Sequence, residues 1–499
     1  MKPDDIPDEE APAGLRPDES ASYRDRARKT ILTQTAQVSL SNIVLQVSRF
    51  LKNVLLASLL GPYLFGLWSA LQAFLIYGGN VHLGALNGMS RDLPLERGAG
   101  NTETIPVMAA TALTFSLIAS VPAAGIIALL AWAVTDEVPS LTILLLVPLI
   151  IVQVVLIFFQ SLVRAEEKFR VMSTTIIIGA VVELGASVAL VHVIGFDGVL
   201  LGLLAAHSVA LLYCIFRRKG FSLRFTIDPA LLRRLLRTGF PIMLGALTYS
   251  VFITIDRLTI VAIEGNEALG FYALGSLAVT AIGYLPSAVN QVMYPKFTAR
   301  YGETGKAGTL AGYLRVSSIG MAHGMGLVLG IAILALPLIA ILLPKFEPGI
   351  PVARILIAGA YFLSLLGSAS LFLLTINRQV LFLFSLLLAT LLLVSLDMTV
   401  LLFGGGIEGV AIATASAYAL CSIGTMSYTV RRFLPEGPPP FGFMQMKLVV
   451  PSLLATLLIL CCEAISAGGT MTTVGIRLFL FVVLYVPVSW RILRKENIW

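Results

Sequence analysis

The stretch 42-NIVLQVSRFLKN-53 sets Arg49 and Lys52 inside an otherwise apolar run. Thr35, Ser39, Asn42, Gln46, Arg49 and Asn53 recur at steps of four, three, four, three and four, the spacing of one helical face. Lys52, three positions beyond Arg49, flanks that face. Counted down from Gly61 at about 1.5 Å per residue, Arg49 lies about 18 Å deep and Lys52 about 13 Å deep. The hydrocarbon core of a bilayer is about 30 Å thick, so both cations stand too deep to snorkel freely to the surface. Charge in hydrocarbon is costly unless it faces water or a partner. The first reading is therefore a wet, cationic cavity suited to an anionic ligand, since Arg and Lys are the residues that hold phosphates. The second is a structural ion pair between helices. Its candidate carboxylates are few: Asp256 beside Arg257, Glu183, Asp397 and Glu463. A whole face of polar groups exceeds what one pair requires, so the cavity is the expectation. Arg49, Lys52 and Arg257, with Asn42, Gln46 and Asn53, are its candidate ligand-binding residues. Asp256, Glu183 and Asp397 are its candidate charge partners or cation-coupling groups.

These residues need long apolar helices to carry them. Of the 499 residues, 57% are hydrophobic and only 13% charged, about half the charge of an ordinary soluble domain. Apolar runs near 20 residues recur throughout, enough to cross a bilayer as helix. A β-barrel would alternate polar and apolar residues in short segments, and this chain does not. The expected fold is an all-α polytopic membrane protein. Its spans are read at 30–60, 63–86, 105–133, 139–163, 173–193, 198–216, 239–262, 269–293, 313–343, 351–374, 381–402, 408–430, 447–467 and 474–490. Most of the 35 Lys and Arg fall in alternate loops, and the loops between those contain only Lys345. The asymmetry places both termini on the cytoplasmic side. The net charge of +7 then reflects orientation and anionic lipid rather than nucleic acid.

Residues 1–29 read as a disordered tail, acidic and proline-rich and then basic from Arg24. The segment 217–238 reads as a cytoplasmic linker. In it Asp228 and Pro229 start a helix as N-cap and first turn, with Leu231, Leu232, Leu235 and Leu236 on one face. Its arginines around that face suggest an amphipathic helix lying on the inner leaflet. It joins an N-lobe, 30–216, to a C-lobe, 239–430, with 431–499 holding two further spans and a tail.

An internal repeat supports the two lobes. The segment from Lys52 through Gly61 and Gly66-Leu67-Trp68 to Arg91 resembles that from Arg257 through Gly265 and Gly270-Phe271-Tyr272 to Lys296. Both begin with a cation in a span, turn at glycine, and end in a basic loop. The same order in the same orientation implies a parallel repeat, and transporters built this way bind substrate between the halves. His82, His192, His207 and His323 are scattered and read as polar helix contacts rather than a proton relay. Gly320, Gly324, Gly326 and Gly330 suit close helix packing. There is no phosphate loop with Lys and Ser/Thr, no metal-ligand spacing, and no outer loop long enough to carry catalytic groups. Neither an enzyme nor a cofactor is expected.

The repeat residues also carry a family likeness. The segments 59-LLGPYLFGLWSALQAF-74, with the loop 88-GMSRDLP-94, and 241-PIMLGALTYSVFITIDRLTIVAIEGNEALGFYALGSLAVTAIGYLPSAVNQVMYPKF-297 resemble the polysaccharide transporter family of lipid-linked oligosaccharide flippases. That family belongs to the superfamily of multidrug and toxin extrusion exporters and lipid II flippases. The resemblance implies two six-helix lobes around a central cationic cavity in the cytoplasmic membrane. It implies movement of polyprenyl-diphosphate-linked glycans to the outer leaflet, with Arg49, Lys52 and Arg257 at the family's basic positions in spans 1 and 7. On that reading Asn42, Gln46 and Asn53 bond sugar hydroxyls, and polysaccharide-assembly proteins are the expected partners. A cation-coupled multidrug exporter is the alternative, although such a cavity should favour carboxylates. A membrane glycan ligase or polymerase is a third, weakened by the short outer loops.

Overall fold

The structure, a computed structural model, describes residues 17–101, 103–135, 140–218, 225–434, 441–466 and 469–495. In 17–32, 34–36 and 441–445 it describes the backbone alone. Helices follow one another with short turns: α1 (Pro17–Gly78), α2 (Ala85–Gly98), α3 (Thr104–Val134), α4 (Ser140–Ala165), α5 (Phe169–Ile194) and α6 (Asp197–Arg218). Then come α7 (Pro229–Phe252), α8 (Ile255–Ile282), α9 (Tyr284–Thr304), α10 (Ala311–Ala335) and α11 (Pro337–Leu342). The last are α12 (Ile350–Thr375), α13 (Gln379–Leu402), α14 (Gly406–Phe433), α15 (Phe441–Glu463) and α16 (Thr470–Lys495). Among the described residues no strand occurs, and 13 helical stretches are long and apolar enough to cross a membrane. The chain is an all-α, multi-pass membrane protein. The first stretch, Gln37–Gly78, contains a break at Gly61, and its two legs are the first two of the fourteen expected spans.

That break shows why the sequence turns there. Gly61 adopts φ 72° and ψ 178°, open to glycine and strained for any side chain. Pro62 follows, its missing N–H harmless in the first turn of the second leg. Gly265 in α8 repeats the same conformation, φ 82° and ψ −176°. Five residues on from each break the helices touch backbone to backbone. A Cβ on Gly66 would lie 1.8 Å from Asn266 O, and a Cβ on Gly270 would lie 1.9 Å from Pro62 O. The contact is reciprocal, since Pro62 and Asn266 each follow a break glycine. It is what a local two-fold produces. Trp68 and Tyr272, the paired aromatics, are both fully buried. The repeat continues in turns whose sequences differ. After α4, backbone N–H groups of 166, 167 and 168 donate to the carbonyls of 162, 164 and 163. After α12, those of 376, 377 and 378 donate to 372, 374 and 373. Glu167 and Asn377 are both left-handed there, at φ 60° and 56°.

Two expectations are corrected. Residues 17–29, assigned to a disordered tail, are the first turns of α1, while 1–16 lie outside the described residues. Extending a helix already formed by the span costs little, and Ala, Glu, Arg and Lys all favour it. The amphipathic segment after Asp228 is not a separate helix on the leaflet but the start of α7, which runs on to Phe252. Asp228 does cap it, accepting the N–H groups of Ala230 and Leu231 at 2.8 and 2.9 Å. Leu235 is fully buried, and its carbonyl would lie 2.2 Å from a Cβ on Gly88 of α2. The apolar face therefore rests on protein. The arginine face is used too: Arg234 bonds Asp92 at 2.9 Å and Glu96 at 2.6 Å.

The described residues cluster in two compact units. One is bounded by Met1–Leu56, Phe74–Ala133 and Glu137–Leu247, the other by Ala57–Ala73, Val134–Asp136 and Thr248–Trp499. In the second, α16 docks on α10 by filling glycine gaps. A Cβ on Gly326 would lie 2.0 Å from Tyr485 Oη, and one on Gly330 would lie 1.9 Å from Phe481 Cζ. A Cβ on Gly320 or Gly324 would meet no described atom within 4 Å. Helices in lipid gain little from apolar burial alone, and close packing at small residues supplies the difference.

Candidate functional site

In the first unit α1 presents three faces. Ser41, Ser48, Lys52 and Leu56 are buried. Leu40, Ile43, Val47 and Leu51 are exposed and apolar. Between them runs the polar stripe, with Ser39, Asn42, Gln46 and Asn53 half-buried and Arg49 exposed. Thr35 lies outside the residues whose side chains are described. The two cations thus part company. The Lys52 side chain is only 3% exposed and its Nζ lies 2.5 Å from Glu183 Oε1 of α5. Arg49 Nε stands 3.8 Å from Glu183 Oε2, beyond hydrogen-bond reach, with 48% of its side chain exposed. Of the four carboxylates considered as partners, the structure selects Glu183.

Glu183 sits on α5, which packs against α6. A Cβ on Gly202 would lie 2.4 Å from Ser187 Cα, so the two helices cross in contact one turn from Glu183. Across that crossing His207 of α6 comes within electrostatic reach of Glu183, Arg49 and Lys52. Its Nδ1 is buried with no hydrogen-bond partner. The other histidines are polar contacts, as expected: His323 Nδ1 with Ser489 Oγ at 3.1 Å, His192 Nδ1 with Val188 O at 2.8 Å, and His82 Nδ1 accepting the Gly84 N–H at 3.0 Å. Two cations against one carboxylate leave one net positive charge, carried by the exposed Arg49. His207 was not singled out as a site residue, because nothing in sequence says that α6 meets α5 at this level.

The second unit holds the remaining candidates. Asp256 is buried and accepts the Tyr272 hydroxyl at 2.5 Å and the Arg257 N–H at 2.9 Å. Tyr272 Oη also lies 3.1 Å from Thr414 Oγ1. Asp397 of α13 is fully buried, within electrostatic reach of Asp256, and neither of its oxygens has a hydrogen-bond partner. Thr259 stands near it but gives its hydroxyl hydrogen to Asp256 O at 2.8 Å. Arg257 is half-buried, with Nε enclosed and without a partner. The two break glycines also correct the register of the repeat. Lys52 stands nine residues before Gly61, and nine before Gly265 stands Asp256, not Arg257. One repeat thus carries a cation where the other carries an acid.

Outside the spans, Glu166 ties α4 to α6 through Arg218, at 3.0 Å to Nε, and to Lys168 at 2.9 Å. Burial pushes its carboxyl up, but the bonds and charges of Arg218 and Lys168 outweigh burial and hold it below the ordinary value. A depressed carboxyl stabilises the fold above its unfolded pKa, about 4.3, and that gain is lost as pH falls through the folded value. Glu166→Gln should therefore lower stability at pH 7 by about 2 kcal/mol. The difference from the parent protein should vanish in acid, as read by thermal unfolding at stepped pH.

Comparison with known proteins places this fold. The chain superposes on the lipid II flippase MurJ in an inward closed conformation with a TM-score of 0.73, at 15% identity, covering 92% of this chain and 99% of that one. It superposes on an inward-facing multidrug resistance MATE family transporter of the MOP superfamily with a TM-score of 0.63, at 17% identity, over 84% and 99% of the two chains. A MOP superfamily transporter from Pyrococcus furiosus, whose binding pocket is described as reversed in polarity, gives 0.58 at 17% identity over 81% and 95%. At these identities the likeness is one of fold. No curated protein matches the chain. Residues 31–300, more than half of the chain, match the family described as polysaccharide biosynthesis protein, and the chain belongs to that family.

Proposed function

We propose that this protein is a flippase. It carries a polyprenyl-diphosphate-linked oligosaccharide across the cytoplasmic membrane by alternating access, for polysaccharide export, and is not an enzyme. The observation that supports this best is Arg49: a half-exposed cation deep in the first span, carrying the surplus charge over the Lys52–Glu183 pair. Arg49 engages the diphosphate first. Lys52 then exchanges Glu183 for a phosphate oxygen, and Arg257 supplies a further cation. Asn42, Gln46 and Asn53 bond sugar hydroxyls. Asp256 and Asp397, with Glu183, are the groups through which a cation gradient or the membrane potential drives the cycle. Both termini are cytoplasmic, basic loops meet anionic lipid, and the partners are polysaccharide-assembly proteins.

Arg49→Gln is the clean test. Its side chain is half exposed, so the change leaves little buried charge uncompensated. Export of the glycan should fall at least about tenfold, which corresponds to about 1.4 kcal/mol, with thermal stability unchanged. Normal export by a folded Arg49→Gln protein would remove Arg49 from the site. The buried pair of carboxylates, Asp256 and Asp397, favours one second reading, a cation-coupled multidrug exporter. Uptake of organic cations into proteoliposomes, abolished by Asp397→Asn, would support that reading over the first.

A further inference from the structure

The second unit contains a cavity of about 270 Å³ that the charged residues do not line. It lies between the end of α7, the junction of α8 and α9, α12 and α13, and no residue lining it is ionised at neutral pH. Its polar groups are Tyr249, Ser287, Asn290, Ser364 and Ser370. The three serines give their hydrogens to carbonyls of the preceding turn, at 2.9 Å to Gly283, 2.6 Å to Tyr361 and 2.8 Å to Gly367. What they turn outward is lone pairs. Asn290 sets its amide nitrogen against the lining residue Gly367, while its carbonyl oxygen is buried and shut off from the cavity. Gly367 makes the space: a Cβ there would lie 2.4 Å from Asn290 Nδ2.

Serine lone pairs beside the Tyr249 hydroxyl and the Asn290 amide, with no cation among them, leave a phosphate's charge unmatched and suit a neutral ligand that both donates and accepts hydrogen bonds. Phe382, Pro286 and Leu363 supply apolar wall. The combination matches a sugar ring, whose hydroxyls donate at the edge and whose C–H face is apolar. Ligand pockets begin at about 300 Å³, so the room is for one sugar, not a chain. We propose that this cavity is a monosaccharide subsite that receives one neutral sugar of the transported glycan, with the serine oxygens accepting from its hydroxyls and the Asn290 amide and Tyr249 hydroxyl donating to them. The assignment of that sugar to a transported glycan rests on the flippase reading. The pocket's preference for a neutral polyol does not.

The test uses the purified full-length protein and two probes: a panel of methyl glycosides of hexoses and N-acetylhexosamines, and inorganic pyrophosphate. At least one glycoside should bind at millimolar concentration in calorimetry. Asn290→Leu, which keeps the volume and removes the amide, should weaken it at least about tenfold, or about 1.4 kcal/mol. Gly367→Val, which fills the space, should do the same, and pyrophosphate binding should survive both changes. If Gly367→Val fails to fold, Asn290→Leu carries the test alone. No binding by any glycoside, or equal binding to Asn290→Leu and the parent, overturns the subsite. Pyrophosphate bound through Arg49 alongside such a failure would leave the flippase reading standing. Glycoside binding without pyrophosphate binding would uphold the subsite and count against that reading.

Discussion

Replacing Glu183 by Leu is expected to destabilise the protein by about 3–5 kcal/mol, the cost of leaving a buried charge without its partner. Lys52 is 2% exposed and has Glu183 2.5 Å away. Arg49 cannot take the carboxylate's place, being a cation itself. Removing both charges tells a different story. Lys52→Met with Glu183→Leu swaps a desolvated pair for apolar side chains of similar volume, and such exchanges are often neutral or stabilising. The double variant should therefore recover most of the loss, as read from thermal unfolding of purified protein. Its export activity then separates two roles. A folded double variant that exports normally means that the pair only holds α1 to α5. A folded one that does not export means that Lys52 or Glu183 takes part in transport itself.

Gly66→Val should be as damaging, for a reason of geometry. A Cβ there meets Asn266 O at 1.8 Å and Gly270 N at 2.7 Å, all backbone, so no side chain can turn aside. The two helices must separate, and the loss should exceed the 1–3 kcal/mol of ordinary overpacking. The reciprocal contact makes a second forecast. Gly270→Val, which meets Pro62 O at 1.9 Å, should cost about as much as Gly66→Val. Gly320→Ala is the control: it has open space and should be neutral or gain up to about 1 kcal/mol of helix propensity. Thermal shifts of the three variants decide this. Tolerance of valine at either crossing glycine, with the midpoint unmoved, would sink the contact.

The break glycines show how far sequence reaches into this fold. Gly61 and Gly265 sit between apolar runs with a paired motif downstream, so both the turns and the repeat can be read from residue types alone. Hydropathy likewise locates the spans, because backbone groups in lipid must be paired within a helix. Asp228 before Pro229 marks a helix start for local reasons, and the cap is there. What fails are statements that depend on a neighbour. The arginines of α7 look like lipid-facing charge until Asp92 and Glu96 stand opposite one of them. Gly320 and Gly326 look alike in sequence, and only Gly326 faces Tyr485. Lys52 had four carboxylates to choose from, and only the packed fold brings Glu183 of α5 to its side. The equivalence of Lys52 with Asp256 was legible by counting back from the break glycines. Matching charge to charge concealed it.

Movement of a lipid-linked glycan by this protein can be measured directly. Purified protein would be reconstituted into liposomes bearing polyprenyl-diphosphate oligosaccharide, labelled on the sugar. Exposure of the label to a membrane-impermeant glycan-oxidising reagent would then be followed in time. Protein-dependent movement of the label between leaflets is expected, slowed at least about tenfold by Arg49→Gln. Label that stays in its original leaflet with folded protein present, under both an imposed cation gradient and an imposed membrane potential, would contradict it.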